Sequence, residues 1–252
     1  MHRSTHGLSL TDEGDAFLAR ARRLIEIAAE IEADFTGKQA GPSGWVRLSV
    51  SSVLAQAVVA PSMPGLYARH PDLRLDVGAD DRIVDMAREG IDVAIRTGAE
   101  QRETLVARQI GELTRGLYAS PAYLDRHGVP ATADDLRRHR LVTNSANPAL
   151  NEWRYRTDKG GRKAEAVFEA VGHTRVDNTA ALVALVQCGA GISRIVDLVA
   201  QPLVETGALM PVLREQFVSA PVPMYAVMLR ERHRLPKVRA CIDYWAEWLR
   251  RP

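Results

Sequence analysis

From Trp45 onward the chain alternates short apolar strands with helices, and this order restricts its fold more than any other feature. Val46-Arg47-Leu48-Ser49-Val50 reads as a strand, and a helix interrupted near Pro61 and Pro64 carries the chain to Arg69. Leu73-Arg74-Leu75-Asp76-Val77 is the next strand; a helix over Ile83 to Arg88 then leads through Glu89-Gly90 into the strand Ile91-Asp92-Val93-Ala94-Ile95-Arg96. A β-α-β-α-β order needs crossover connections, so it implies a mainly parallel sheet with helices on both faces. A second unit holds strands at Leu141-Val142-Thr143, Trp153 to Arg156 and Ala166 to Val171, a helix from Thr179 to Cys188, and a strand at Gly191-Ile192-Ser193. The stretch Met224-Tyr225-Ala226-Val227-Met228-Leu229 and the helix Pro236 to Arg250 return to the first unit. Two α/β lobes crossed twice by the chain place a cleft at the C-terminal ends of the strands, where open parallel sheets take ligands.

The first 35 residues follow a different period. Phe17, Ala21, Leu24, Ala28, Ile31 and Phe35 recur at alternating spacings of four and three, an a/d seam flanked by Arg20, Arg22, Arg23, Glu26, Glu30 and Glu32. Thr11 is placed to cap this helix, and Asp12, Glu13 and Asp15 favour the positive end of its dipole. The stripe ends in the flexible run Gly37-Lys38-Gln39-Ala40-Gly41-Pro42-Ser43-Gly44. It could pack on its own domain or on a second copy, and the linker favours the second copy.

Charge excludes one class of surface. Thirty-three basic against 31 acidic residues give a formal charge of +2, which is no nucleic-acid footprint over the whole chain. Only four of the basic residues are Lys, a bias that fits recognition of planar anions or simply a GC-rich coding sequence. Cys188 and Cys241 sit in apolar helical contexts with no ligand-spaced partner, so they read as buried small hydrophobes in a reducing compartment. No leader-like segment and no long apolar run is present, which points to a cytoplasmic chain with no membrane partner.

Motifs for catalysis are missing. The chain has no Gly-x-Ser-x-Gly, His-Glu-x-x-His, Walker loop or Cys-x-x-Cys, so no catalytic residue, metal site or cofactor is expected. Gly189-Ala190-Gly191 follows a helix and precedes a strand, the reverse of a dinucleotide loop, and reads as a helix cap and tight turn. Asp80, Asp81 and Asp85 could bind a cation, but fit better as a strand-to-helix loop in which Asp80 or Asp81 caps the following helix. The seven histidines read as surface residues at loops and helix ends.

The remaining candidates are polar residues at strand ends facing the cleft. Ser51 and Ser52 open a helix and could hold a carboxylate or phosphate with the helix amides, or serve as an ordinary cap. Thr97 and Gly98 end one strand, Thr143 and Asn144 end another, and Asn178 starts a helix opposite them. Two converging helix N-termini suit a small anion, and no buried basic cluster is legible. Arg175 could add an anion contact but reads more simply as a surface strand residue.

Two stretches carry a family resemblance. His2-Arg3-Ser4-Thr5-His6-Gly7-Leu8-Ser9-Leu10, followed by Thr11-Asp12-Glu13-Gly14-Asp15-Ala16-Phe17-Leu18, resembles the end of the winged helix-turn-helix of LysR-type transcriptional regulators and the start of their linker helix. Leu73-Arg74-Leu75-Asp76, Asp92-Val93-Ala94-Ile95-Arg96-Thr97-Gly98, Leu105-Val106-Ala107-Arg108, Ala119-Ser120-Pro121-Ala122-Tyr123-Leu124, Gly189-Ala190-Gly191-Ile192 and Leu235-Pro236-Lys237-Val238-Arg239 are similar, in order and spacing, to the effector-binding domain of the same family. The resemblance implies an α/β, two-lobed, periplasmic-binding-protein-like (type 2) domain preceded by a long linker helix. It implies a winged-helix remnant at 1–10 with Arg3, Ser4 and Thr5 toward DNA, and a linker and dimerisation helix at 11–36. The effector-binding domain would span 45–252, with lobe I about 45–118 and 222–252 and lobe II about 119–221. The dimer seam would be Phe17, Ala21, Leu24, Ala28 and Ile31, and the effector pocket Ser51, Ser52, Thr97, Gly98, Thr143, Asn144 and Asn178. The implied partners are a small anionic effector, promoter DNA for the full-length form, and further copies in a homodimer or homotetramer. With the DNA-reading helix absent ahead of Thr11, the chain is expected not to recognise a DNA sequence by itself. A solute-binding protein of the same fold, without a transcriptional role, is the alternative, and a cleft enzyme a third.

Overall fold

The computed structural model describes residues 2–4, 7–9, 11, 14, 17, 18, 21, 24, 25, 28, 41–82, 84–98, 105–159, 162–217 and 220–250. β1 (His2–Ser4) and β2 (Gly7–Ser9) pair antiparallel as a small ribbon, with Arg3 opposite Leu8. Thr5 lies outside the described residues. Residues 14, 17, 18, 21, 24, 25 and 28 are helical (α1), and the Gly14 amide donates to Thr11 Oγ1 at 3.2 Å, so Thr11 caps this helix as expected. Phe17 and Leu24 are 72% and 68% exposed, so none of the described residues covers this part of the stripe. Ala28 is exposed too, Ala21 is half-buried, and Ile31 and Phe35 lie outside the described residues.

Lobe I begins with β3 (Gly44–Val50), α2 (Ser52–Leu54), a π turn over Ala55–Val59 and α3 (Ala60–Arg69). β4 (Leu73–Ala79), α4 (Met86–Glu89), β5 (Val93–Thr97) and β6 (Leu105–Leu113) follow. Lobe II runs through β7 (Arg115–Ala119), α5 (Pro121–His127), β8 (Val142–Asn144), β9 (Glu152–Lys159) and β10 (Arg162–Glu169). It continues with β11 (Thr174–Val176), α6 (Thr179–Gln187), β12 (Ser193–Val196), α7 (Asp197–Glu205) and β13 (Met210–Val212). β14 (Val222–Leu229) and α8 (Pro236–Trp248) complete lobe I.

The lobe I sheet is ordered β4-β3-β5-β14-β6. β3 is parallel to both β4 and β5, as expected, whereas β14 runs antiparallel to β5 and β6. The sheet is therefore less parallel than the strand-helix alternation implies, because β6 and β14 carry the chain out of the lobe and back. In lobe II, β7 lies between β12 and β13, antiparallel to both, and β8 is parallel to β11. A parallel bridge between Leu141 and Ile192 joins the two groups, and β9 and β10 form a separate hairpin.

Three expectations change. The helix is interrupted ahead of the prolines rather than at them: a π turn over Ala55–Val59 separates α2 from α3, Pro61 falls in the first turn of α3, and Pro64 lies inside it. Cys188 is exposed beyond the end of α6, whereas Cys241 is buried on α8, where burial first and then Asp92 push its thiol up to about 12. His139 is buried rather than at the surface, because it packs on Tyr123 behind α5.

Val238, Cys241, Ile242 and Trp245 recur at helical spacing on α8 and are buried against α3 and the lobe I sheet. Trp245 Nε1 donates to Ser62 Oγ at 3.2 Å, and the Tyr244 hydroxyl donates to the Ser62 carbonyl at 3.0 Å. Gly65 makes this approach possible, since a Cβ there would lie 2.2 Å from Tyr244 Oη. The same apolar cluster continues into lobe II through Leu182, Val183 and Val186 of α6 and Ile195 of β12. Lobe II has its own core around Leu117, Tyr123, Leu136, Trp153 and Phe168.

Candidate functional site

Between the lobes lies a cavity of about 300 Å³, at the small end of the range for small-molecule pockets. Leu54, Met86, Leu182, Ile195 and Trp153 give it apolar walls, and Ser51, Thr97, Gly98, Asn144, Asn151 and Thr179 add polar groups from both lobes. Arg96, Arg115 and Arg194 line it as well. The expectation of a cleft without clustered basic side chains is thereby overturned. The three arginines come from β5 of lobe I and from the paired strands β7 and β12 of lobe II, and only the meeting of the two lobes brings them together.

The helix N-termini on the two sides already face a carboxylate of the chain itself. Asp81 Oδ1 accepts from the Ser52 amide at 2.9 Å, and Asp81 Oδ2 accepts from the Thr179 amide at 2.5 Å. Ser52 Oγ lies 3.2 and 3.3 Å from the two Asp81 oxygens and 3.3 Å from Asn178 Oδ1, and can donate to only one of them. The same Oγ accepts from the Ala180 amide at 3.3 Å and stands 3.1 Å from Thr179 Oγ1. Asp81 thus bridges α2 of lobe I and α6 of lobe II, where aligned amides and both dipoles favour a negative charge. The expected role of Asp80 or Asp81 as cap of the following helix is corrected: Asp85 caps α4 by accepting from the Arg88 amide at 3.1 Å. Asp80 accepts from the Arg82 amide and Nε at 2.9 and 2.8 Å.

The other sequence-derived residues fall as follows. Ser51 is the N-cap of α2 by backbone geometry and uses no side-chain bond for it. Thr97 and Gly98 line the cavity, and Gly98 has the left-handed φ of +86° that favours glycine. Asn178 caps α6, accepting from the Ala181 amide at 2.9 Å. Thr143 is buried beside Gly172, where a Cβ would meet its Oγ1 at 2.1 Å, and it does not line the cavity. Asn144 does line it. Its backbone and the Asn151 side chain exchange two hydrogen bonds of 2.9 and 2.7 Å, and its Oδ1 takes the Asn147 amide at 2.7 Å, while its buried Nδ2 has no partner among the described residues. Arg175 is exposed on β11. Gly191 is the tight turn expected after α6: a Cβ there would lie 2.3 Å from the Arg140 carbonyl oxygen.

The arginines differ in how they are held. Arg96 donates to Ser49 Oγ at 2.7 Å and to the Ile95 carbonyl at 2.9 Å, and Arg194 donates to the Glu152 carbonyl at 3.2 Å. Arg115 donates to Thr97 Oγ1 at 3.4 Å. Burial first, then Arg194, push the Arg115 pKa down to about 10, against an opposing pull from Asp197. Its guanidinium therefore stays charged at neutral pH in a place that costs it hydration.

A cleft with these features on a two-lobed α/β frame leaves the family to be decided by comparison. Residues 39–250 match the family model described as LysR substrate binding domain. The chain belongs to the LysR-type family of transcriptional regulators. It is 30% identical over 244 residues to an HTH-type transcriptional regulator of Xanthomonas campestris, covering 97% of this chain and 71% of that one. Among solved structures, CrgA, a LysR-type regulator from Neisseria meningitidis, aligns with a TM-score of 0.77 at 25% identity, over 99% of this chain and 83% of CrgA. The Vibrio cholerae virulence activator AphB aligns with a TM-score of 0.69 at 27% identity, over 96% and 81%. These neighbours carry the two-lobed fold, and none of the relatives named here supports the solute-binding alternative.

In this LysR-type regulator, sequence reasoning missed Asp81 as a bridge and Arg115 and Arg194 as cleft residues. Asp81 had a local signal, an acidic residue just beyond a strand end, but its partners lie 29 and 98 residues away. Arg115 follows the crossover from β6, and nothing local separates it from a surface arginine.

Proposed function

We propose that the cleft between the lobes is the effector site of this regulator and that it takes a small anionic metabolite. The observation that carries this is the cavity itself, walled from both lobes by apolar side chains and fringed with guanidinium, amide and hydroxyl donors. Ser51, Thr97, Gly98 and Asn144 would line the ligand, Ser52 and Asn178 would set the junction of the lobes, and Thr143 would support Asn144 from behind. The segment 1–10 would be the end of a DNA-binding unit with Arg3, Ser4 and Thr5 toward DNA, 11–36 the linker helix, and 45–252 the effector-binding domain. The helix would pair with that of a second copy through Phe17, Ala21, Leu24, Ala28 and Ile31, in a cytoplasmic dimer or tetramer that binds its ligand without turning it over. Ligand binding then shifts the arrangement of the lobes, and with it the linker helices, to the extent that it favours one arrangement. Calorimetry with a panel of small carboxylates on the parent chain and on Thr97→Trp, which fills the cavity from lobe I, tests this. Binding confined to the parent supports the cleft; a compound bound equally by both places the site elsewhere.

A further inference from the structure

The cleft offers a negative charge two kinds of donor, and the chain itself satisfies the first. The amides of Ser52 and Thr179 are engaged by Asp81, so the dipole ends of α2 and α6 are matched with a carboxylate before any ligand enters. A second carboxylate brought there would meet Asp81 at close range, a like-charge contact in a partly desolvated site.

The second donor is Arg115. Among the described residues its five N–H groups have one hydrogen bond, the 3.4 Å contact to Thr97 Oγ1. Asp197 acts on it through space, yet both oxygens of Asp197 are taken, one by Thr114 Oγ1 and the other by the Tyr118 hydroxyl at 2.7 Å. Arg194 adds repulsion from the neighbouring strand: Arg115 pairs with Val196, two residues along β12. A planar anion relieves that repulsion and supplies acceptors in the geometry a guanidinium prefers. Asn144, 3% exposed, adds on the same cavity wall a buried Nδ2 donor that has no partner among the described residues.

We infer that the effector is a singly charged carboxylate that pairs with Arg115, its apolar body lying against Leu54, Met86, Leu182 and Ile195, and that Asp81 bars a second carboxylate from the helix N-termini. This rests on the cleft being the effector site.

The test uses phenylacetate, its neutral amide phenylacetamide, and the dicarboxylate phenylmalonate, each followed by saturation-transfer NMR and calorimetry. The parent chain is expected to bind phenylacetate roughly ten- to a hundredfold more tightly than the amide, the range for hydrogen bonds to a charged group. Phenylmalonate is expected to bind more weakly than phenylacetate. Arg115→Gln should reduce phenylacetate to the level of the amide and leave the amide unchanged, with Arg115→Lys between them, and Asp81→Asn should improve phenylmalonate selectively. If Arg115→Gln does not fold, the acid-to-amide ratio of the parent still decides. Equal binding of acid and amide, both lost in Thr97→Trp, overturns the role of Arg115 while leaving the cleft in place. Phenylmalonate binding the parent as well as phenylacetate does overturns the role of Asp81. Probes that bind Thr97→Trp as they bind the parent, or no binding by any of the three, overturn the inference together with the cleft.

Discussion

Arg232 donates to Asp92 across 140 residues of chain, in a site where both side chains are buried. The other Asp92 oxygen accepts from the Arg47 amide at 2.9 Å, and Arg232 also donates to the Gly90 carbonyl at 3.3 Å. One pair therefore fastens the strand β3, the turn before β5 and the segment that follows β14.

Removing one partner of such a pair leaves an uncompensated buried charge, which typically costs about 3–5 kcal/mol. Asp92→Ala should lower the unfolding free energy by about that amount, and the double replacement Asp92→Leu with Arg232→Met should lose less. Urea denaturation of the three proteins checks this. A loss below about 1 kcal/mol for Asp92→Ala would show that the pair does not hold the return of the chain.

Trp245 is wholly buried and donates to Ser62 Oγ, so Trp245→Ala removes a large apolar contact and leaves that hydroxyl without its donor. A loss of about 3–5 kcal/mol in chemical denaturation is expected. Trp245→Phe should keep most of the packing and lose about 1 kcal/mol for the hydrogen bond, plus a cavity contribution. A Phe variant as unstable as the Ala variant contradicts this division.

The buried imidazole of His139 makes stability depend on pH. Its Nδ1 lies 3.2 Å from the Tyr123 hydroxyl, which accepts from the Arg140 amide at 2.8 Å. Burial first, then His127, lower the His139 pKa, and Asp135 opposes them. A lowered folded pKa means that the unfolded chain takes up the proton first. Stability from this group is thus fully present above the ordinary value of about 6.5, falls as pH drops below it, and stops falling once pH passes the folded value. His139→Gln should flatten the difference in melting temperature between roughly pH 7.5 and 5.5, on either side of that ordinary value. An unchanged difference would assign the pH dependence to other groups.

Phe17 and Leu24 lie exposed on the N-terminal helix, and fewer than three heptads of coiled coil are marginal in isolation. Leu24→Asp should reduce the mass measured by light scattering at micromolar concentration. A mass identical to that of the parent means that the stripe does not pair copies.

The sequence alone determined the frame. Alternating runs such as Val46 to Val50 and Leu73 to Val77 announce strands because the side-chain period is local, and Asn178 and Thr11 announce helix starts because a cap acts within three residues. The polar strand ends at Thr97 and Asn144 were legible for the same reason: a strand and its end are both local patterns. The tertiary structure alone decided the charges of the cleft. Whether Arg115 faces solvent or a cavity depends on its register against Val196 and on where the crossover enters lobe II. Asp81 looked like the cap of the helix after it, yet it bridges amides at Ser52 and Thr179 that only the meeting of the two lobes brings within reach. The buried pair of Asp92 and Arg232 was equally hidden. A charged side chain carries no local mark of its partner, because Coulomb attraction and desolvation depend on distance in space rather than along the chain.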